Sequence, residues 1–289
     1  MSWRIVVISR SAKLDYQMGY MVIRQEEITK IFLNEISTVI IETTAVSITC
    51  ALMCEFVKNK IKVVFCDEKR NPSSELMPYY GSHDTSAKIR NQIAWSEDIK
   101  SMVWTEIVTE KIRKQKELLE NISKNEEAIL LQSYINEIEY ADSTNREGHA
   151  AKVYFNALFG KDFTRTSDCN INAALNYGYS IILSAFTREI AANGYITQIG
   201  LFHDNMFNQF NMASDLMEPF RPMVDQKVYN MEFTVFEKQE KMELVNILNE
   251  SVYISDRTEY VNNAIKIYCR SIFDALNDND VSMIKFYLL

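Results

Sequence analysis

The sequence predicts an α+β protein: a small β-sandwich-like N-terminal domain, a linker, and a larger all-α C-terminal domain. Three observations predict it. Short segments rich in β-branched residues crowd the first third of the chain. A stretch of turn-forming residues follows. Breakers are scarce throughout, with seven Gly and four Pro in 289 residues, which favours long helices. Apolar residues make up 47%, enough for a sizeable core and too many for disorder. The expected boundaries are 1–75 for the β domain, 76–88 for the linker and 89–289 for the helical domain.

The elements follow in order. Trp3–Ser9, Tyr20–Arg24, Glu27–Leu33 and Ser37–Glu42 read as strands. Ser47–Lys60 changes period and predicts a helix with Ser47 as its N-cap. Ile61–Cys66 returns to strand. DEKRNPSSELMPYYGSHDTS, residues 67–86, holds two of the four prolines and reads as linker. Beyond it, residues 87–120, EEAILLQSYINEIEY, NREGHAAKVYFNALFG and NAALNYGYSIILSAFTREIAANG read as helices. The last is expected to stop with Gly194 at C′. KQEKMELVNILNE and RTEYVNNAIKIYCRSIFDALND predict two further amphipathic helices.

Charge and cysteine usage narrow the class. The formal net charge is −8, with residues 1–85 neutral and the excess beyond them. A nucleic-acid binder usually carries a basic footprint, so the balance counts against that class. KIRKQK, Lys111 to Lys116, is a short basic run, expected to be an ordinary solvated helix face. Five cysteines, an odd number with no CxxC pair, argue against a disulfide framework and for reduced thiols in a cytoplasm. Cys50 and Cys54, one helical turn apart, are expected as buried small hydrophobes. There is no secretory signal pattern and no apolar run of membrane-spanning length.

One stretch, LFHDNMFNQFNMASDLMEPFRP from Leu201 to Pro222, gathers an imidazole and two acids. His203 precedes Glu218 by fifteen residues, and Asp215 lies three before it. Asp215 and Glu218 fit a helix-capping box, and Glu147 fits a first-turn acid with Ser143 or Asn145 as cap. Against that, residues three apart share a helix face, and a compact GLFHDN loop returns His203 to it. With Glu147 from another helix, such an oxygen-rich set with one imidazole suits Mg²⁺ or Mn²⁺ and phosphoryl transfer. His149 lies on the wrong side of its helix to share a ligand sphere with Glu147, and His83 has no role.

NREGHAAKVYF, NAALNYGYSIIL and IGLFHDNMFNQFNMASDLMEPFRP together resemble the CRISPR-associated integrases of the adaptation machinery, the first-numbered Cas protein family. YYGSHDTS, NREGHAA and the run ending MEPFRP are similar to its type II-A branch. The resemblance covers essentially the whole chain. It implies a single divalent metal, Mg²⁺ or Mn²⁺, on Glu147, His203 and Glu218, with Asp215 as a supporting acid. It implies joining of the 3′-OH ends of double-stranded spacer DNA into the leader–repeat of a CRISPR array, with associated endonuclease activity. The implied partners are a second copy of the chain, the second-numbered CRISPR-associated protein, a type II-A accessory ring protein and the RNA-guided effector nuclease. The chain departs from many members in carrying Asn208, Gln209 and Asn211 where arginines stand. Two other readings stay open: a stand-alone metal-dependent DNA nuclease, and a helical scaffold whose acids are only caps.

Overall fold

The computed structural model describes residues 4–76, 82–231 and 235–288. It divides into two units, residues 1–81 and 82–289.

The first unit is built from two sheets and one helix. β1 (Arg4–Ile8), β5 (Ile36–Ile41) and β7 (Lys62–Cys66) run parallel, and β8 (Pro72–Glu75) joins antiparallel, in the order β1-β5-β7-β8. β2 (Ala12–Gln17), β3 (Tyr20–Arg24), β4 (Ile28–Phe32) and β6 (Val46–Ile48) form the second sheet, ordered β4-β3-β2-β6. Val6, Ile8, Val39, Ile41 and Val63 of one sheet pack in one core with Leu14, Met21 and Ile23 of the other. This is the sandwich-like arrangement the β-branched segments predict. α1 (Cys50–Lys58) seals it with Leu52 and Phe56.

Three local expectations are corrected here. The cap of α1 is Thr49, whose hydroxyl accepts from the Leu52 amide at 3.4 Å. Ser47 instead lies in β6, paired with Lys13. Cys50 and Cys54 are exposed, because Leu52 and Phe56 hold the buried face of that short helix. Part of the turn-rich stretch is strand β8, where Glu75 forms an ion pair with buried Lys62. Of the YYGSHDTS wording, Tyr79, Tyr80 and Gly81 lie outside the described residues.

The second unit is mostly helical. α2 (Thr85–Ala94) begins inside the stretch expected as linker. α3 (Glu97–Asn121) is the central rod, capped by Ser96, whose hydroxyl accepts from the Ile99 amide. It packs on α4 (Asn125–Asn136), α5 (Arg146–Phe159), the tight turn Glu218–Phe220, α8 (Arg221–Asn230) and α10 (Val261–Asp278). α6 (Asn170–Ala192) packs on α7 (Asn211–Leu216), α8, α9 (Lys238–Val245) and α10. It ends as the sequence predicts, with Asn193 as C-cap and Gly194 at φ 88°. The unit is not wholly α. β9 (Ser251–Ile254) and β10 (Arg257–Tyr260) form a hairpin, and β10 occupies residues expected to open the last helix. Its two turn residues, Ser255 and Asp256, both take positive φ, as a two-residue hairpin turn requires. Val252 and Ile254 alternate inward, so α10 starts only at Val261. No described helix is long and apolar enough to cross a membrane.

Candidate metal centre

Glu147 stands in the first turn of α5. Asn145, in the left-handed region at φ 52°, caps that helix by accepting from the Gly148 amide at 3.3 Å. Asp142 adds a second cap, accepting from the amides of Arg146 at 2.7 Å and Glu147 at 3.0 Å. Glu147 thus stands in the first turn as the sequence predicts, with its backbone amide capped by Asp142. The Glu147 side chain reaches α3, where Lys111 Nζ lies 2.5 Å from Glu147 Oε1.

Glu218 meets the same ammonium. Pro219 has no N–H to continue a helix. α7 therefore stops at Leu216, and Glu218 opens a tight turn before α8. Glu218 is buried, with Oε2 2.5 Å from Lys111 Nζ. Its other oxygen, Oε1, accepts from Arg221 Nε at 2.9 Å. Burial pushes the Glu218 carboxyl up, yet Arg221 and Lys111 more than offset it and hold it below the usual carboxylate range. Burial also pulls Lys111 down, and the charges of Glu218 and Glu147 reverse that, so the ammonium persists.

Asp215 is no cap. It sits inside α7, fully buried, and accepts from three consecutive backbone amides of the loop: Leu201 at 2.6 Å, Phe202 at 3.1 Å and His203 at 3.2 Å. His203 Nδ1–H donates to the same carboxylate. Gly200 makes the wrap possible, since a Cβ there would lie 2.4 Å from the His203 carbonyl oxygen and 2.7 Å from Asp215 Oδ2. Asn208 and Asn211 fold this loop. The Asn211 amide donates to the carbonyls of Gln198 at 3.0 Å and Asn205 at 3.1 Å, and Asn208 Nδ2 donates to Ser214 Oγ at 3.3 Å. The His203 ring stands edge-on to Trp104 of α3 at 5.7 Å, and Trp104 stacks on Phe202 at 4.6 Å.

The hydrogen bond to Asp215 raises the His203 pKa against burial, with smaller upward contributions from the charges of Asp215, Glu218 and Glu147. The imidazole therefore feels all three acids. The structure brings Glu147 and Glu218 onto one cation and places His203 within their field. With Nδ1 engaged, Nε2 is the imidazole nitrogen left for a ligand. Among the described residues, no three His, Cys, Asp or Glu side chains form a ready-made metal cage. The donor types nonetheless fit a hard divalent cation. Two carboxylate oxygens converge on one cation, Lys111 Nζ, and Glu218 is buried.

Lys111 is the residue that sequence reasoning missed. KIRKQK is not a solvated face: Lys111, Lys114 and Gln115 are buried. The usable signal was spacing. Lys111 lies seven residues after Trp104 and four after Ile107, on the apolar stripe of α3.

A second buried network supports Glu218 from behind. The Arg221 guanidinium lies over the Tyr179 ring at 4.7 Å. Tyr179 and Tyr154 both donate to Asp225, the latter at 3.0 Å. Burial pushes the Asp225 carboxyl up to about 6, against the opposing pull of both hydroxyls. A carboxyl raised on folding ionises first in the unfolded chain. Its contribution to stability therefore falls as pH rises from the ordinary 3.8 to about 6, then stays level. Asp225→Asn should accordingly gain stability relative to the wild type across that window. Urea midpoints of both proteins at about pH 4, 5, 6 and 7.5 check it. A difference that does not change with pH refutes it.

A β-rich unit thus precedes a helical unit in which two acids meet one lysine and an imidazole lies within their field. The family model described as CRISPR associated protein Cas1 matches residues 5–256. The CRISPR-associated endonuclease Cas1 of Neisseria meningitidis serogroup C (strain 8013) is 34% identical over 232 residues, 80% of this chain and 76% of its own length. The chain belongs to the Cas1 family. Among solved structures, a casposase bound to integration product shares the fold at TM-score 0.78 and 17% identity, covering 98% of this chain and 93% of that one. A chain of a Cas6-RT-Cas1–Cas2 complex does so at TM-score 0.73 and 15% identity, covering 97% of this chain and 36% of that one.

Proposed function

We propose that this chain is a metal-dependent DNA integrase of CRISPR adaptation, with DNA endonuclease activity on the same site. The observation that carries the reading is the convergence of Glu147 and Glu218 on one cation position beside an imidazole oriented by a buried acid. Glu147, Glu218 and His203 Nε2 would hold Mg²⁺ or Mn²⁺, with Asp215 supporting. The bound metal would polarise the scissile phosphate and neutralise charge on its oxygens during in-line displacement.

The chain's own residues do the rest. Asp215 fixes the His203 tautomer and ring plane. As a neutral ligand, His203 is not the base that takes the proton of the attacking 3′-OH. Arg221 holds the second Glu218 oxygen, so that carboxylate keeps its charge and direction. In joining, the 3′-oxygen of the spacer strand bonds to phosphorus at the leader–repeat junction. The old phosphorus–oxygen bond breaks, and its strand leaves as a 3′-OH after taking up a proton. Water in place of the 3′-OH gives cleavage.

The partners follow from the same reading. The Cas6-RT-Cas1–Cas2 complex among the structural neighbours supports the second-numbered Cas protein as a partner; a dimer of this chain is part of the same proposal. The first unit is the proposed dimer surface. A type II-A system, with its accessory ring protein and RNA-guided nuclease, rests on the YYGSHDTS and MEPFRP wording. The acidity of the chain is reconciled with DNA by local neutralisation: metal precedes or accompanies productive engagement of the scissile phosphate, while overall DNA affinity rests on phosphate contacts outside the site.

A labelled duplex with 3′-OH ends, incubated with a leader–repeat target, Mg²⁺ or Mn²⁺ and the purified partner, tests the proposal. Labelled products longer than the input are expected. Shortened products alone would mean a nuclease. No product, with no Mn²⁺ affinity, would mean a scaffold.

A further inference from the structure

We infer that the Lys111 ammonium occupies the divalent-cation position of the metal-free protein and leaves it when the metal binds. The inference rests on the metal reading above and extends it to a residue that reading does not use.

The geometry carries it. Glu147 Oε1 and Glu218 Oε2 each lie 2.5 Å from Lys111 Nζ, so they stand no more than about 5 Å apart. Oxygens around a hard divalent cation sit at roughly 2.0–2.6 Å, so the ammonium nitrogen is where such a cation would sit. Glu218 Oε2 is buried, and the Lys111 ammonium is the cation that lies against it. Glu147 and Glu218 come from separate elements, α5 and the turn before α8, and α3 supplies the cation between them. Without a cation, two carboxylates that close would repel each other.

Lys111 therefore keeps the two ligands gathered while metal is absent. An ammonium and a divalent ion cannot share the position, since like charges at that spacing repel. Lysine is suited to withdrawal: a compact point charge on a flexible four-carbon stem swings aside while the backbone of α3 stays packed. The consequence is selectivity. A cation must outcompete a tethered ammonium to enter, which favours two positive charges over one.

The test uses the full chain, with Mn²⁺ as probe, in isothermal titration and in thermal melts with chelator or Mn²⁺. Lys111→Met and Lys111→Gln are each expected to bind Mn²⁺ at least roughly tenfold more tightly than the wild type. Both are expected to melt lower than the wild type in chelator and to recover more on adding Mn²⁺, because the metal replaces the missing ammonium. If the Met variant does not fold, the Gln variant, which keeps a polar head, gives the same readout. Equal or weaker Mn²⁺ affinity in the folded Lys111 variants overturns the inference; if Glu147→Gln still abolishes wild-type binding, the metal reading stands. Equal Mn²⁺ binding by the wild type and Glu147→Gln overturns both.

Discussion

Glu147→Gln is expected to reduce strand joining by at least about 100-fold, while DNA binding stays essentially intact. The substitution keeps the shape of the side chain and removes one negative charge. Glu147 Oε1 is one of two oxygens 2.5 Å from Lys111 Nζ, which marks the proposed metal position. Under the proposed mechanism an amide oxygen there would be a weaker ligand for a hard cation, and the scissile phosphate would lose the counterweight to its charge. DNA affinity rests mainly on phosphate contacts, and loss of an acidic charge does not weaken those. The helix itself survives, because Asn145 and Asp142 cap it through backbone amides. The measurement is strand joining of a pre-processed 3′-OH duplex, alongside DNA binding by anisotropy. Normal joining by the variant in Mg²⁺ or Mn²⁺ would remove Glu147 from the site.

Asp215→Asn is expected to destabilise the second unit by about 3–5 kcal/mol and to abolish joining as well. Asp215 is fully buried, and its two oxygens serve three backbone N–H groups and the His203 ring. Asparagine offers one acceptor oxygen. Its NH₂ group would face N–H donors in a place closed to water. Two or more buried donors are then left unpaired, and the imidazole loses the partner that fixes its tautomer. Urea denaturation measures the first effect, and the joining assay measures the second. A variant within about 1 kcal/mol of the wild type, a scale typical of one ordinary hydrogen bond, would mean that the loop is held by something else.

Much of the fold was legible in the residues. β-branched segments marked five of the strands in the first unit, and the end of α6 was marked by Gly194 and its permissive backbone. β2 was not legible, because AKLDYQ carries two charges and no β-branched residue; its strand state comes from neighbours on either side, β3 and β6. The hairpin at Ser251–Tyr260 was hidden by a following helix whose amphipathic pattern blurs the junction. The cap at Asp142 was missed because Asn145, nearer the helix, is itself a good cap.

The candidate site divides in the same way. Residue types and spacing made His203, Asp215 and Glu218 candidates alongside a capping role, and the family resemblance added Glu147 and tied the set to one metal. Whether it converges is a matter of loop closure and helix packing, and no periodicity encodes that. Only the tertiary structure turned Asp215 from an apparent cap into the buried anchor of the His203 loop, by bringing three amides to it across twelve to fourteen residues of chain. Only the tertiary structure took Lys111 out of an apparently solvated run and set it between two acids. A charge on a helix is silent about its partners until other elements close over it, and burial then decides what that charge is for.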